Sequence, residues 1–105
     1  VWLQGESEAV NGAGTYLDDL RAIRSWVREK WGAQVKWVGL TLPTTIGASA
    51  IYAADVRTAT ATFAAEDALT TYTQTNVTLV DDLHYGVESL ISTVGPALHA
   101  AGQTI

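Results

Sequence analysis

The chain has 105 residues, room for one small domain, and its 48% hydrophobic content is that of a globular chain rather than a disordered one. Six Lys+Arg stand against eleven Asp+Glu, so the net charge is 6 − 11 = −5. This argues against nucleic acid or an anionic membrane as the main partner, because phosphates select cationic surfaces. Cys is absent, which excludes disulfides, thiolate metal sites and cysteine nucleophiles but selects no compartment.

Val1 to Gln4 is a short apolar stub. Met is absent, including at position 1, and no basic leader precedes Val1-Trp2-Leu3, so the chain reads as a piece of a longer protein. Gly5 to Gly14 reads as a loop. Thr15, with Asp18 three residues on, resembles a capping box and starts a helix. Tyr16, Leu20, Ile23, Val27 and Trp31 follow at helical spacing, and Gly32 suits the position just past its end. Val35 to Leu42 is a β-branched and aromatic run of strand length, closed by Pro43. Residues 44–50 form a loop. A second helix is predicted from Ile51 to about Leu69, with Tyr52, Val56, Ala59 and Phe63 on one face; its many threonines make it a mediocre helix former. Thr70 to Thr75 is ambiguous, since alternating Thr and Tyr also suits an extended segment. Val77 to Val80 is predicted as a buried strand and Asp81 to Tyr85 as a loop. Val87, Leu90, Ile91, Val94, Leu98 and Ala101 give the cleanest helical stripe, which Gly95-Pro96 should kink or break. The eighteen uncharged residues between Lys36 and Asp55 are too polar and too broken to span a bilayer, which takes roughly 20 mostly apolar residues.

The order β-α-β-α-β-α argues for a parallel sheet with helices on its faces, a thin one whose first strand looks cut short. In open α/β sheets function collects at the carboxyl ends of the strands. Two segments fall there: Trp2-Leu3-Gln4-Gly5-Glu6-Ser7-Glu8-Ala9 after the first strand, and Asp81-Asp82-Leu83-His84 after the third. Asp and His on one tight loop can hydrogen-bond, which fixes the imidazole tautomer as a general base requires.

Together these segments resemble the carbohydrate-esterase branch of the SGNH (GDSL-like) hydrolases, which includes sialate O-acetylesterases and acetylxylan esterases. WLQGESEA is similar to its W-x-Q-G-E-[ST]-[DE]-A signature, and DDLHYG followed by a helix is similar to its last block, D-x-x-H. Tyr16 and Val56-Arg57 with Ala59 also fit the layout. The resemblance covers nearly the whole chain. It implies a flavodoxin-like three-layer α/β/α domain, of which this chain is the C-terminal portion, and a parent that removes acyl groups from carbohydrate without a cofactor or metal. By the same resemblance His84 is the catalytic base, Asp81 its orienting carboxylate and Gln4 an oxyanion-hole donor. Glu6 takes a structural hydrogen-bonding role and Trp2 a packing role. The nucleophilic serine and a backbone oxyanion donor belong to two earlier blocks that these residues lack, so they are expected on the missing N-terminal half, in the same or another chain. None of Ser7, Ser25, Ser49, Ser89 and Ser92 sits in a nucleophile motif.

Other residues carry weaker signals. His99 sits near the end of the last helix, where a cation suits the dipole. Asn76-Val77-Thr78 is a glycosylation sequon, meaningful only in a secretory context. Trp26, Trp31 and Trp37 are expected in the core, and Tyr85 is the aromatic residue best placed to line a site. The alternative function is a non-catalytic binding or structural module built on an esterase-like fold; an extracellular or virion-associated setting is compatible with the composition.

Overall fold

In a computed structural model, which describes residues 1–105, strands and helices alternate along the chain. They are β1 (Trp2–Leu3), α1 (Glu6–Asn11), α2 (Tyr16–Trp31), β2 (Trp37–Leu40), α3 (Ala53–Ala65) and β3 (Thr70–Thr73). A C-terminal helical run follows, made of α4 (Val87–Ser89), a π-helical turn (Leu90–Val94) and α5 (Gly95–Gly102). The strands form one parallel sheet in the order β1-β2-β3. Trp2 lies opposite Gly39 and Leu3 opposite Leu40, while Trp37 to Leu40 face Thr70 to Thr73 in register. The fold is thus mixed α/β around a small parallel sheet.

β2 is the middle strand, and all four of its residues are buried, as expected of a strand covered on both faces. Its side chains alternate. Trp37 joins the larger core with Leu20, Val56 and Phe63, whereas Val38 and Leu40 pack against Val94 and Leu98 of the C-terminal run. The larger core is aromatic at its centre. Phe63 is fully buried, and its ring meets Trp37 edge-on at 5.4 Å and Tyr72 at 6.1 Å. Trp2 leans on Trp37 at 5.2 Å, the packing role expected of it.

Several expectations are corrected. The third strand is Thr70–Thr73, not Val77 to Val80. Threonine and tyrosine suit a pleated surface, and here each has a reason to stay: Thr70 is buried, and the Tyr72 hydroxyl accepts the Trp37 indole N–H at 3.1 Å. Val77 to Val80 lies beyond the sheet, with Val80 70% exposed. Within the expected Gly5 to Gly14 loop lies a short helix, α1, whose Ala9 is fully buried. Thr15 forms no capping box; its hydroxyl bonds Asp19 at 3.0 Å, and Asp18 pairs with Arg21. α3 is shorter at both ends than predicted. At Gly95-Pro96, where a kink or break is expected, the helical run departs from α geometry but continues through the π-helical turn. The N–H of Gly95 bonds the carbonyl of Leu90, five residues back, and this wider turn makes room for the proline ring.

Trp26 and Trp31 are not core residues either. They are 52% and 66% exposed and meet edge to face at 5.3 Å on the outer side of α2. The helix spends its inward face on Tyr16 and Leu20, with Ile23 and Val27 packed beside the core.

Candidate active site

β1 and β2 run parallel, so Gln4, just after β1, and residues 41–52, just after β2, leave the sheet at the same end. The turn from β1 into α1 passes through Gly5, which is buried with φ 135°, and a Cβ there would lie 2.9 Å from Val56 Cγ1. Any side chain would therefore strain the backbone and strike α3. The Tyr16 hydroxyl donates to the carbonyl of Gln4 at 3.0 Å, and burial pushes that phenol well above its ordinary pKa.

The loop carrying His84 reaches the same end. Asp81 Oδ1 accepts the backbone N–H groups of Leu83 at 3.1 Å and His84 at 2.8 Å, a side-chain turn typical of aspartate. The N–H of Val80 donates to the carbonyl of His84 at 2.9 Å, and the N–H of Gly47, in the loop after β2, donates to the carbonyl of Asp82 at 2.7 Å. The imidazole Nδ1 lies 2.8 Å from Asp81 Oδ2 and 3.0 Å from Oδ1. Asp82 makes no such contact; it bridges the turn with φ 68°.

The electrostatics follow from this geometry. The hydrogen bond from His84, then those from the backbone N–H groups of His84 and Leu83, hold the Asp81 carboxyl below its ordinary pKa. The same bond and the charge of Asp81 raise His84 above its ordinary value, and Glu6 on α1 adds to the rise. With Nδ1–H given to Asp81, the tautomer this bonding assigns leaves the Nε2 lone pair free. The His84 side chain is 63% exposed, so Nε2 can take a proton from an arriving hydroxyl.

The remaining candidates are distributed unevenly around this pair. Gln4 is at the same end of the sheet, but its Nε2 donates to Glu8. The amide has two protons, so one stays available. The amide also lines a groove of about 550 Å³ beside β1, with Trp2, Glu8, Tyr16, Leu20 and Ile23. Tyr85 is half-buried, its hydroxyl enclosed without a hydrogen bond, and burial raises its pKa. No serine hydroxyl bonds to the His84 ring. Ser7 Oγ faces Asn11 at 3.4 Å, and Ser92 Oγ donates to the carbonyl of Glu88 at 2.8 Å. His99 is exposed and meets only Gln103, at 3.2 Å. Glu6 faces His84 electrostatically, a placement that only its membership in the Gln4-Gly5-Glu6 segment hints at. The contribution of residues 44–47 has no motif to announce it; a glycine in a loop is its one trace. Comparison with protein-family models, with curated proteins and with solved structures finds no significant match.

Proposed function

We propose that this chain is the base-bearing part of an SGNH-type serine esterase whose parent removes O-acetyl groups from carbohydrate. The observation that carries the reading is the Asp81–His84 pair, 2.8 Å apart, at the sheet end where Gln4 also emerges. In this mechanism His84 Nε2 takes the proton of a serine hydroxyl as the oxygen attacks the acyl carbon. Asp81 holds Nδ1–H and stabilises the imidazolium. The second amide proton of Gln4 bonds the developing oxyanion. The imidazolium then protonates the departing sugar alcohol, and water repeats the sequence on the acyl-enzyme.

The serine and a second oxyanion donor come from a partner segment outside these residues, in the same or another chain. The free edge of β1 supports that arrangement. β1 pairs only with β2, Leu3 is 42% exposed on it, and parallel sheets are ordinarily covered on both faces and extended by further strands. A strand added there would extend the sheet toward a three-layer α/β/α domain and bring a neighbouring strand end beside Gln4. The exposed Trp26–Trp31 pair favours a second reading, a non-catalytic binding or structural module.

The test is turnover of an aryl acetate and an acetylated saccharide by the protein that carries this chain. His84→Ala should lower kcat by at least about 100-fold, the ordinary scale for losing a general base. Residues 1–105 alone should show no serine-dependent turnover, and Ser7→Ala should change nothing. Turnover indifferent to His84→Ala overturns the esterase reading. Glycan binding without turnover establishes the module.

A further inference from the structure

The segment that bears His84 belongs to no sheet or helix, yet it is held in three places by one loop. The backbone N–H of Thr44 donates to Asn76 Oδ1 at 3.0 Å. The Thr45 hydroxyl donates to the carbonyl of Val77 at 2.8 Å. Gly47 N–H donates to the carbonyl of Asp82 at 2.7 Å. The last contact falls between Asp81 and His84 in sequence, at the one non-glycine residue with a positive φ. The approach is close enough to specify the residue. A Cβ built on Gly47 would lie 2.4 Å from Asp82 Cβ, 2.9 Å from its Cγ and 3.3 Å from its carbonyl oxygen. Those first two distances are below any ordinary carbon–carbon contact.

We propose that Gly47 is the positioning residue of the Asp81–His84 pair: its bare Cα lets the loop after β2 press against Asp82, and its N–H locks the turn that brings Asp81 onto His84 Nδ1. Asp82 in turn holds a left-handed backbone that an L-residue adopts at a cost, and the Gly47 bond keeps it there. The pairing does not depend on the esterase reading; the consequence for catalysis does. Gly47 touches no substrate in this scheme and acts only through the turn.

The test reads the His84 imidazole by NMR titration, which needs no turnover. The charged groups that face the ring are Asp81 from its own turn and Glu6 from α1, and Gly47→Ala alters neither. In the unmodified chain His84 should titrate above the ordinary histidine value of about 6.5, and Asp81→Asn should bring it down. Gly47→Ala should bring it down in the same direction, because the added methyl pushes Asp82 away and parts the pair. Gly47→Ala combined with Asp82→Gly should recover the elevated titration, since deleting the Asp82 side chain removes the collision; Asp82→Gly alone serves as the reference. In the unmodified chain the Gly47 amide should also exchange with solvent more slowly than those of Ala48 and Ser49.

If Asp81→Asn lowers the titration and Gly47→Ala leaves it unchanged, the positioning role is overturned while the pair stands. A Gly47→Ala defect that Asp82→Gly cannot rescue also overturns it, as does a Gly47 amide that exchanges as fast as its neighbours. If the titrations behave as expected but no ester is ever turned over, the positioning role stands and the esterase reading falls.

Discussion

Two cation–carboxylate clusters lie at opposite ends of the sheet, and they are built differently. At the end where β3 begins, Arg21, Arg24 and Arg28 of α2 reach Glu66 and Asp67. Arg28 grips Asp67 with two nitrogens at 2.9 and 3.1 Å. Arg24 bonds Glu66 at 2.6 Å, Asp67 at 3.0 Å and the carbonyl of Phe63 at 3.1 Å, and its guanidinium sits 3.9 Å over the Phe63 ring. The Arg24 side chain is 11% exposed. At the other end a single pair, Asp81 and His84, stands 55% and 63% exposed. The seam gives Arg24, Arg28 and Asp67 several hydrogen bonds each and leaves them less exposed than the His84 pair, tying α2 to the segment between α3 and β3. The pair keeps one face of its imidazole in solvent, where it can exchange a proton. The interlocked arginine seam and the exposed Asp81–His84 pair thus occupy separate ends of one small sheet.

That contrast breaks most visibly at Phe63. Phe63→Ala removes the ring on which Trp37, Tyr72 and Arg24 converge, and it should cost about 3–5 kcal/mol in urea unfolding, the usual range for a buried phenylalanine. His84→Ala, at an exposed position, should leave the unfolding curve close to that of the unmodified chain. A comparable loss from both would mean that the His84 loop is part of the core fold.

Asp67→Asn should cost less, about 1–3 kcal/mol at pH 7, because it leaves Arg24 and Arg28 short of their charged partner. Its pH dependence has a definite sign. Arg28 first, then the Leu69 N–H and the Thr70 hydroxyl, hold the Asp67 carboxyl down to about 2. A depressed carboxyl contributes stability above its unfolded value near 4, and that stability is lost as pH falls through about 2. Unfolding curves of the unmodified and Asp67→Asn chains should therefore converge between about pH 4 and pH 2; curves that stay parallel through that window would remove Asp67 from the seam's energetics.

The smallest effect concerns salt. In about 1 M NaCl the screening length falls to about 3 Å, and exposed pairs weaken more than enclosed ones. The His84 titration should move down toward its ordinary value, while that of Asp67 holds. A raised His84 folded value means that the pair contributes below the ordinary histidine range and loses its contribution as pH rises through the folded value. Histidine and carboxylate NMR titrations at low and high salt check both statements.

Much of this architecture is visible in local patterns, because short-range physics writes it. The spacing of Tyr16, Leu20, Ile23 and Val27 marks α2, and the β-branched run before Pro43 contains β2. The Asp-x-x-His spacing puts the two side chains within reach of each other, since an aspartate that accepts the N–H groups of its own turn faces the third residue along; the contact that holds the turn is not written in that spacing. Tertiary packing decided the rest. Whether Thr70–Thr73 or Val77 to Val80 became the third strand depended on Arg24, Arg28 and Trp37, which lie far away in the chain and bond Thr70 and Tyr72. Apolar composition favoured the other segment but had no partner for it. Trp31 keeps the helical period of the core face yet lies in solvent, because α2 runs past the end of the packing it covers. The clasp of Gly47 on Asp82 joins residues thirty-five positions apart through a bare Cα and a backbone N–H. Backbone groups are the same at every position, so only the folded chain could say which of them meet.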